Sequence, residues 1–142
     1  MTADLPRTAS ELRIVIGQLV RRLRLQNTMP LAQVTVLARL DREGPQTTSS
    51  LAAGERMRPQ SMAQTVQELA AAGLVVRKPD PHDRRRLLVE STARGRKALA
   101  LDRERREGWL ERAIAGELSA EEQAVLRRAV ELLERLARSS GS

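Results

Sequence analysis

Apolar residues recur near the start of the chain at helical spacing. Leu12, Ile16, Leu19 and Leu23 fall at i, i+4, i+7 and i+11, which predicts one apolar stripe on a helix that runs out near Asn27. Thr8 to Glu11 reads as a capping box, with the Thr8 hydroxyl accepting from the Glu11 N–H and the carboxylate reaching back, so the helix is expected to start there. Pro30 sits where a first turn tolerates it, and Leu31, Val34, Leu37 and Leu40 predict a second helix stopped by Gly44-Pro45. Thr47 or Thr48 can cap a short third helix that carries Leu51 and ends around Gly54. Pro59 opens a fourth, because its missing N–H costs little in a first turn. Met62, Val66, Leu69 and Ala70 form its inward stripe, and Gly73 is a left-handed stop.

After Gly73 the period shortens. The runs LVVR and RLLVE, separated by a Pro- and Asp-rich stretch, predict a β-hairpin with a loop longer than two residues. Leu74, Val76, Leu87 and Val89 are expected to rest on the helices, leaving Arg84, Arg85 and Arg86 at the tip. Asp83, two residues before Arg85, can hold a guanidinium in a fixed direction. From Thr92 to about Ala115 the pattern is a long helix with Leu99, Leu101, Trp109, Leu110, Ala113 and Ile114. Its charged middle, DRERRE, is expected to cross open solvent. Ser119 to Glu122 is a second capping box, followed by Val125, Ala129, Leu132 and Leu136 with Leu126 and Leu133 alongside. A terminal helix with that stripe, and the Leu12–Leu23 helix, have little to pack on unless they meet a second copy, which predicts a two-fold homodimer.

Composition narrows the chemistry. The chain has no Cys, Phe or Tyr and a single Trp, so its core must be aliphatic and neither disulfides nor thiolate metal sites are available. With 142 residues, 41% of them hydrophobic and 30% charged, it reads as one globular domain. It shows neither a leader pattern nor an apolar run of about 18 residues, which makes the cytoplasm the expected location. The net charge is +7, and the stretch from Arg77 to Lys97 holds eight basic residues against three acidic ones. A positive patch so focused predicts a polyanionic partner, nucleic acid first; a merely solvated surface is the alternative. On the fourth helix, Gln60, Ser61, Gln64, Thr65 and Gln67 are polar and uncharged where a solvent face would carry Lys and Glu; a merely soluble helix face is the alternative to a reading surface. Gln pairs with adenine in a bidentate way, and Ser and Thr bond to either kind of base. An Arg-tipped hairpin beside such a helix fits a minor groove while the helix enters the major groove.

Catalysis finds no support. His82 is the only histidine and lies in the hairpin tip without a partner ligand. The acid pairs Asp102–Glu104 and Glu121–Glu122 read as solvated or ion-paired helix faces, and neither a phosphate-cradling loop nor a nucleophile motif occurs. No metal or cofactor is expected.

The order helix, helix, short helix, Gln-rich helix, basic hairpin and two long helices resembles the MarR family of winged helix-turn-helix transcriptional regulators over nearly the whole chain. The stretch LAAGERMRPQSMAQTVQELAAAGLVVR is similar to that family's helix-turn-helix. Asp83, Arg85 and Val89 fit its wing signature, and Thr92, Gly95 and Arg96 fit the turn into its next helix, although Ser91-Thr92 stands where many members have Leu-Thr. The resemblance implies a mostly α fold with a small β-hairpin wing. Within one domain, 1–142, a winged helix-turn-helix lobe would span about 30–95 and dimerisation helices about 8–27 and 96–138. The expected DNA surface is Thr47, Arg58, Pro59, Gln60, Ser61, Gln64, Thr65, Arg77, Asp83, Arg84, Arg85 and Arg86. The expected dimer contacts are Leu12, Ile16, Leu19, Leu23, Val125, Ala129, Leu132 and Leu136. The family's small-molecule effectors bind between dimer helices and DNA-binding lobes, where Trp109 could line a cavity; a plain packing residue is the alternative.

Two readings follow from different classes. One is a dimeric, sequence-specific regulator, a repressor, on a pseudo-palindromic duplex and releasable by a small lipophilic or anionic effector. The other is a winged-helix interaction module that binds DNA without preference or an acidic protein, since fold alone does not decide function.

Overall fold

The computed structural model describes residues 4–141. Six helices and one hairpin follow in the order α1 (Leu5–Arg24), α2 (Leu31–Glu43), α3 (Thr48–Glu55), α4 (Pro59–Ala71), β1 (Val75–Pro79), β2 (Leu87–Ser91), α5 (Ala93–Glu117) and α6 (Ala120–Arg138). The chain is mostly α with a small β-hairpin wing. It divides after Arg106 into two compact units.

In the first unit, α2, α3 and α4 enclose an aliphatic core with the base of the hairpin. Val36, Leu37, Leu51, Met62, Val66 and Leu69 are sealed from solvent, joined by Val75, Val89 and Leu99. Local sequence explains the joints. Thr47 caps α3 by accepting from the Ser50 N–H at 3.0 Å, and Pro59 occupies the first turn of α4. Gly73 takes the left-handed conformation, φ 76°, that turns the chain from α4 into β1.

Four expectations need correction. The first helix starts earlier than Thr8: Asp4 accepts from the Arg7 N–H at 3.2 Å and Pro6 presets the first turn, so Thr8 lies inside α1 and Glu11 pairs with Arg7 instead. In the hairpin the buried residues are Leu74, Val75 and Val89, whereas Val76 and Leu87 are exposed. Leu74 precedes the strand, its N–H tied to the Leu69 carbonyl, and within β1 only Val75 is buried. The fifth helix runs from Ala93 past Ala115 to Glu117. Its charged middle does not simply cross solvent. Asp102 is fully buried and accepts from the Thr28 N–H at 3.0 Å and the Thr28 hydroxyl at 2.7 Å. Arg103 pairs with Asp41, and Arg105 and Arg106 bond to Gln26 and Asn27. This segment therefore fastens the loop between α1 and α2.

In the second unit the end of α5 and α6 are joined at Leu118-Ser119. The capping box forms as expected, with Ser119 and Glu122 exchanging bonds of 2.9 and 3.2 Å. No described helix is long and apolar enough to cross a membrane. Neither α1 nor α6 has a buried residue. On α1, Leu12 and Leu23 are half-buried while Ile16 and Leu19 are exposed, and on α6 Val125, Leu132 and Leu136 are exposed and Ala129 half-buried.

Candidate nucleic-acid interface

The helix-turn-helix is built on α3 and α4, joined by a turn in which Arg56 takes the left-handed conformation, φ 54° and ψ 41°. A side chain there is strained by roughly 1 kcal/mol, so the turn is held by its surroundings. Arg56 and Arg58 are exposed at its rim. From it α4 presents Pro59, Gln60, Ser61 and Gln64 to solvent. Gln64 donates to Glu68 at 3.0 Å, and Glu68 also receives Gln33 at 3.2 Å, so the polar face carries one carboxylate that orients its central amide.

Thr65 is a correction to the expected reading face. It is 7% exposed, and its hydroxyl donates to the Ser61 carbonyl at 3.1 Å. At 3.6 residues per turn it sits only about 40° round the helix from Leu69, on the core side.

The wing lies beside α4. Arg77 of β1 donates to Gln67 of α4 at 3.2 Å, which engages one expected DNA-facing residue in bracing the wing against the helix. The tip is ordered by its own acids. Asp80 accepts from the His82 N–H, and Asp83 accepts from both the Arg85 N–H at 3.1 Å and the Arg85 Nε at 3.3 Å. The Arg85 side chain is nonetheless 92% exposed. A pair so open adds little stability; its effect is to fix the direction of a guanidinium. Arg84 and Arg86 are also exposed, and Arg86 lines one shallow depression with Thr47, Thr48 and Ser49 at the start of α3.

The wing has a third, one-residue strand that no sequence period announces. Gln46 and Val89 exchange both backbone bonds, at 3.2 and 2.7 Å, so β2 is flanked by β1 on one side and by the α2–α3 linker on the other. Nor does any sequence period announce the network around Arg39. Its guanidinium meets Glu55, Glu43 and the Gly54 carbonyl, and hydrogen bonding to Glu55 above all raises its pKa. Glu43 is held below the usual carboxylate range, first by the Gln46 amide and then by Arg39.

Trp109 is half-buried in the second unit. Two shallow depressions described there, which share Ile114 and Gln123, are lined by other residues. No group of three or more metal-ligating side chains occurs among the described residues.

Residues 27–86 match the sequence model of the MarR family. An HTH-type transcriptional regulator of Mycobacterium leprae is 36% identical over 131 residues, covering 89% of this chain and 90% of that protein. One from Mycobacterium tuberculosis is 36% identical over 130 residues, with the same coverage. A transcriptional regulator of known structure from Pseudomonas aeruginosa is 38% identical, with a TM-score of 0.85 over 99% of this chain and 100% of that one. A MarR family protein from Bacillus stearothermophilus, 21% identical and with a TM-score of 0.74, shares the fold over 95% of this chain and 96% of its own. The helix-turn-helix, the wing and these relatives agree along nearly the whole sequence: the chain belongs to the MarR family of HTH-type transcriptional regulators, which are not enzymes.

Proposed function

We propose that this regulator binds a pseudo-palindromic duplex as a homodimer, with α4 in the major groove and the wing at the minor groove, and acts as a repressor in the cytoplasm. The observation that carries the reading is Arg85: 92% exposed, aimed by Asp83, and mounted on a wing that Arg77 bonds to the reading helix. A guanidinium so displayed suits a narrow groove of high negative potential. Gln60, Ser61 and Gln64 supply donors and acceptors for base edges. Arg58, Arg84 and Arg86 supply phosphate contacts, which position without specifying.

The exposed apolar residues of α1 and α6 support dimerisation, since covering a Leu or Val side chain is worth about 1.5–3 kcal/mol. Two-fold symmetry then sets two reading helices about one DNA turn apart. A dimer seated there excludes other proteins from that stretch, which is the basis for repression. An effector that alters the spacing between the two wings would release the DNA, because a two-fold dimer with the wrong spacing cannot serve both half-sites.

The test is a pair of binding isotherms on labelled duplexes at equal salt, one a palindrome selected from random sequence and one unselected. The palindrome is expected to bind orders of magnitude tighter, with affinity falling steeply as salt rises. Equal affinity for both would leave only non-specific coating or an acidic protein partner.

A further inference from the structure

One connected set of polar side chains joins the reading element to the wing without lying on either DNA-facing surface. It starts at Glu55, the last residue of α3 and the neighbour of the left-handed Arg56. Arg39 of α2 donates its Nε to Glu55 Oε2 at 2.7 Å, its Nη1 to both oxygens of Glu43 at 2.9 and 3.0 Å, and its Nη2 to the Gly54 carbonyl at 2.9 Å. Glu43 accepts from Gln46 Nε2 at 3.1 Å, and Gln46 Oε1 accepts from Ser50 Oγ at 3.0 Å. The Gln46 backbone is in turn paired with Val89 of the wing.

Two features separate this set from ordinary surface ion pairs. The Arg39 and Glu55 side chains are 17% and 18% exposed, and every nitrogen of the fork has an acceptor. Gly54 supplies the seat. A glycine within a helix is unfavourable by roughly 0.5–1 kcal/mol relative to alanine, yet a Cβ there would stand 2.7 Å from the Arg39 Cζ. The helix carries that glycine where the guanidinium must lie flat across it.

We propose that Arg39, seated on Gly54 and linked through Glu43 and Gln46 to Val89, is a positioning device that sets the wing relative to the reading helix and so governs DNA affinity without touching DNA. This rests on the wing-and-helix reading above. Loss of the fork frees the end of α3 and the Gln46 strand to shift separately, so that Arg85 and the α4 amides no longer meet one duplex in register.

A double-mutant cycle on the full-length protein tests it, with the selected palindrome as the probe. Arg39→Met keeps the stem and removes the fork, and is expected to weaken binding about three- to thirty-fold. Arg39 bonds to Glu55, Glu43 and Gly54 and Arg85 to Asp83, and residues with no shared partner ordinarily act additively. If Arg39 acts through the wing, Arg85→Ala will cost at least about threefold less in the Arg39→Met background than in the parent. Gly54→Ala runs beside it, because it leaves every charge in place and favours the helix. The proposal expects Gly54→Ala to bind DNA more weakly while unfolding no more easily than the parent. It also decides the matter should Arg39→Met fail to fold. Additive effects in the cycle, or unchanged affinity in Gly54→Ala where Arg39→Met does not fold, would overturn the proposal. The underlying reading fails separately, if the parent does not prefer the palindrome or Arg85→Ala alone has no effect.

Discussion

Gly95 offers the sharpest stability test. A Cβ built at Gly95 would lie 2.1 Å from the Leu74 carbonyl oxygen and 3.0 Å from its carbon, with Leu37 Cδ2 at 3.4 Å on the other side. Since such contacts do not occur below about 3 Å, the first turn of α5 and the start of β1 would have to separate by roughly 1 Å. Neither side yields freely. The Leu74 carbonyl accepts from the Thr92 N–H at 3.1 Å, and the Leu74 N–H is committed to Leu69 at 2.9 Å. The Thr92 hydroxyl donates to the Gly73 carbonyl at 2.7 Å and accepts from the Gly95 N–H at 3.0 Å. Overpacking costs about 1–3 kcal/mol and each stretched hydrogen bond about 1 kcal/mol more, so Gly95→Ala should lose about 3–5 kcal/mol. With an unfolding entropy of about 2.1 cal/mol/K per residue over 142 residues, near 0.3 kcal/mol/K, that is a drop in Tm of about 10 °C or more. The assay is thermal and urea unfolding by circular dichroism, with Gly116→Ala as the control. Nothing lies within 4 Å of a Cβ at Gly116, and that change should stabilise the protein by up to about 1 kcal/mol through helix propensity. A Gly95→Ala protein within about 1 kcal/mol of the parent would refute the close-approach reasoning.

Gln64→Ala should alter base preference by about 1–3 kcal/mol at one position of the selected site, measured by competition among single-base variants; an unchanged preferred sequence would mean that α4 reads with another face. Leu132→Asp should give monomers in sedimentation velocity, and a persistent dimer would move the contact away from the α6 stripe. Asp102→Ala strips both acceptor contacts from Thr28 and should cost about 2 kcal/mol. Asp102→Asn keeps one oxygen there and removes a charge whose other oxygen, Oδ2, is buried without a partner, so it should cost less, and equal losses would show that the Thr28 contacts do not matter. Glu43 is depressed below its ordinary 4.5, so its stabilisation is fully present above that value and lost as pH falls through the lower folded value. The difference in stability between parent and Glu43→Gln should therefore hold steady from about pH 8 to pH 5 and shrink in more acid solution; a difference that shrank between pH 7 and 5 instead would place its origin elsewhere.

Most of what can be read along the chain is stated locally, the Thr8–Glu11 box excepted, because Asp4 and Pro6 start α1 a turn earlier. Thr47, Pro59, Gly73 and the Ser119–Glu122 box each act within four residues of themselves, and each lies where its type predicts. Asp83 and Arg85 belong to the same class, two residues apart and bonded as their chemistry suggests. Thr65 is polar, but its position on the wheel puts it beside Leu69, and a threonine can enter a core by returning its hydroxyl to the preceding turn. In the hairpin Leu74 and Val89 are buried as expected, but Leu74 belongs to the turn, so Val75 and not Val76 is the buried residue of β1, and Leu87 is exposed at the start of β2.

The larger omissions share a different cause. Asp102 meets Thr28 across 74 residues, and Arg39 meets Glu55 across 16. Gln46 meets Val89 as a bridge too short to leave any alternation. In each case one member looks like an ordinary charged or amide surface residue, because periodicity records which face a residue occupies and not what lies opposite it. The Gln46 bridge ties the wing to the α2–α3 linker, Arg39 ties the end of α3 to α2, and Asp102 ties α5 to the loop between α1 and α2. The wing signature marks the hairpin tip, but on the proposal above the angle of that tip depends on Gln46, Arg39 and Gly54, none of which lies in it. Two chains with the same tip could hold it differently, and for that reason the coupling between Arg39 and Arg85 should be measured alongside the contacts each makes alone.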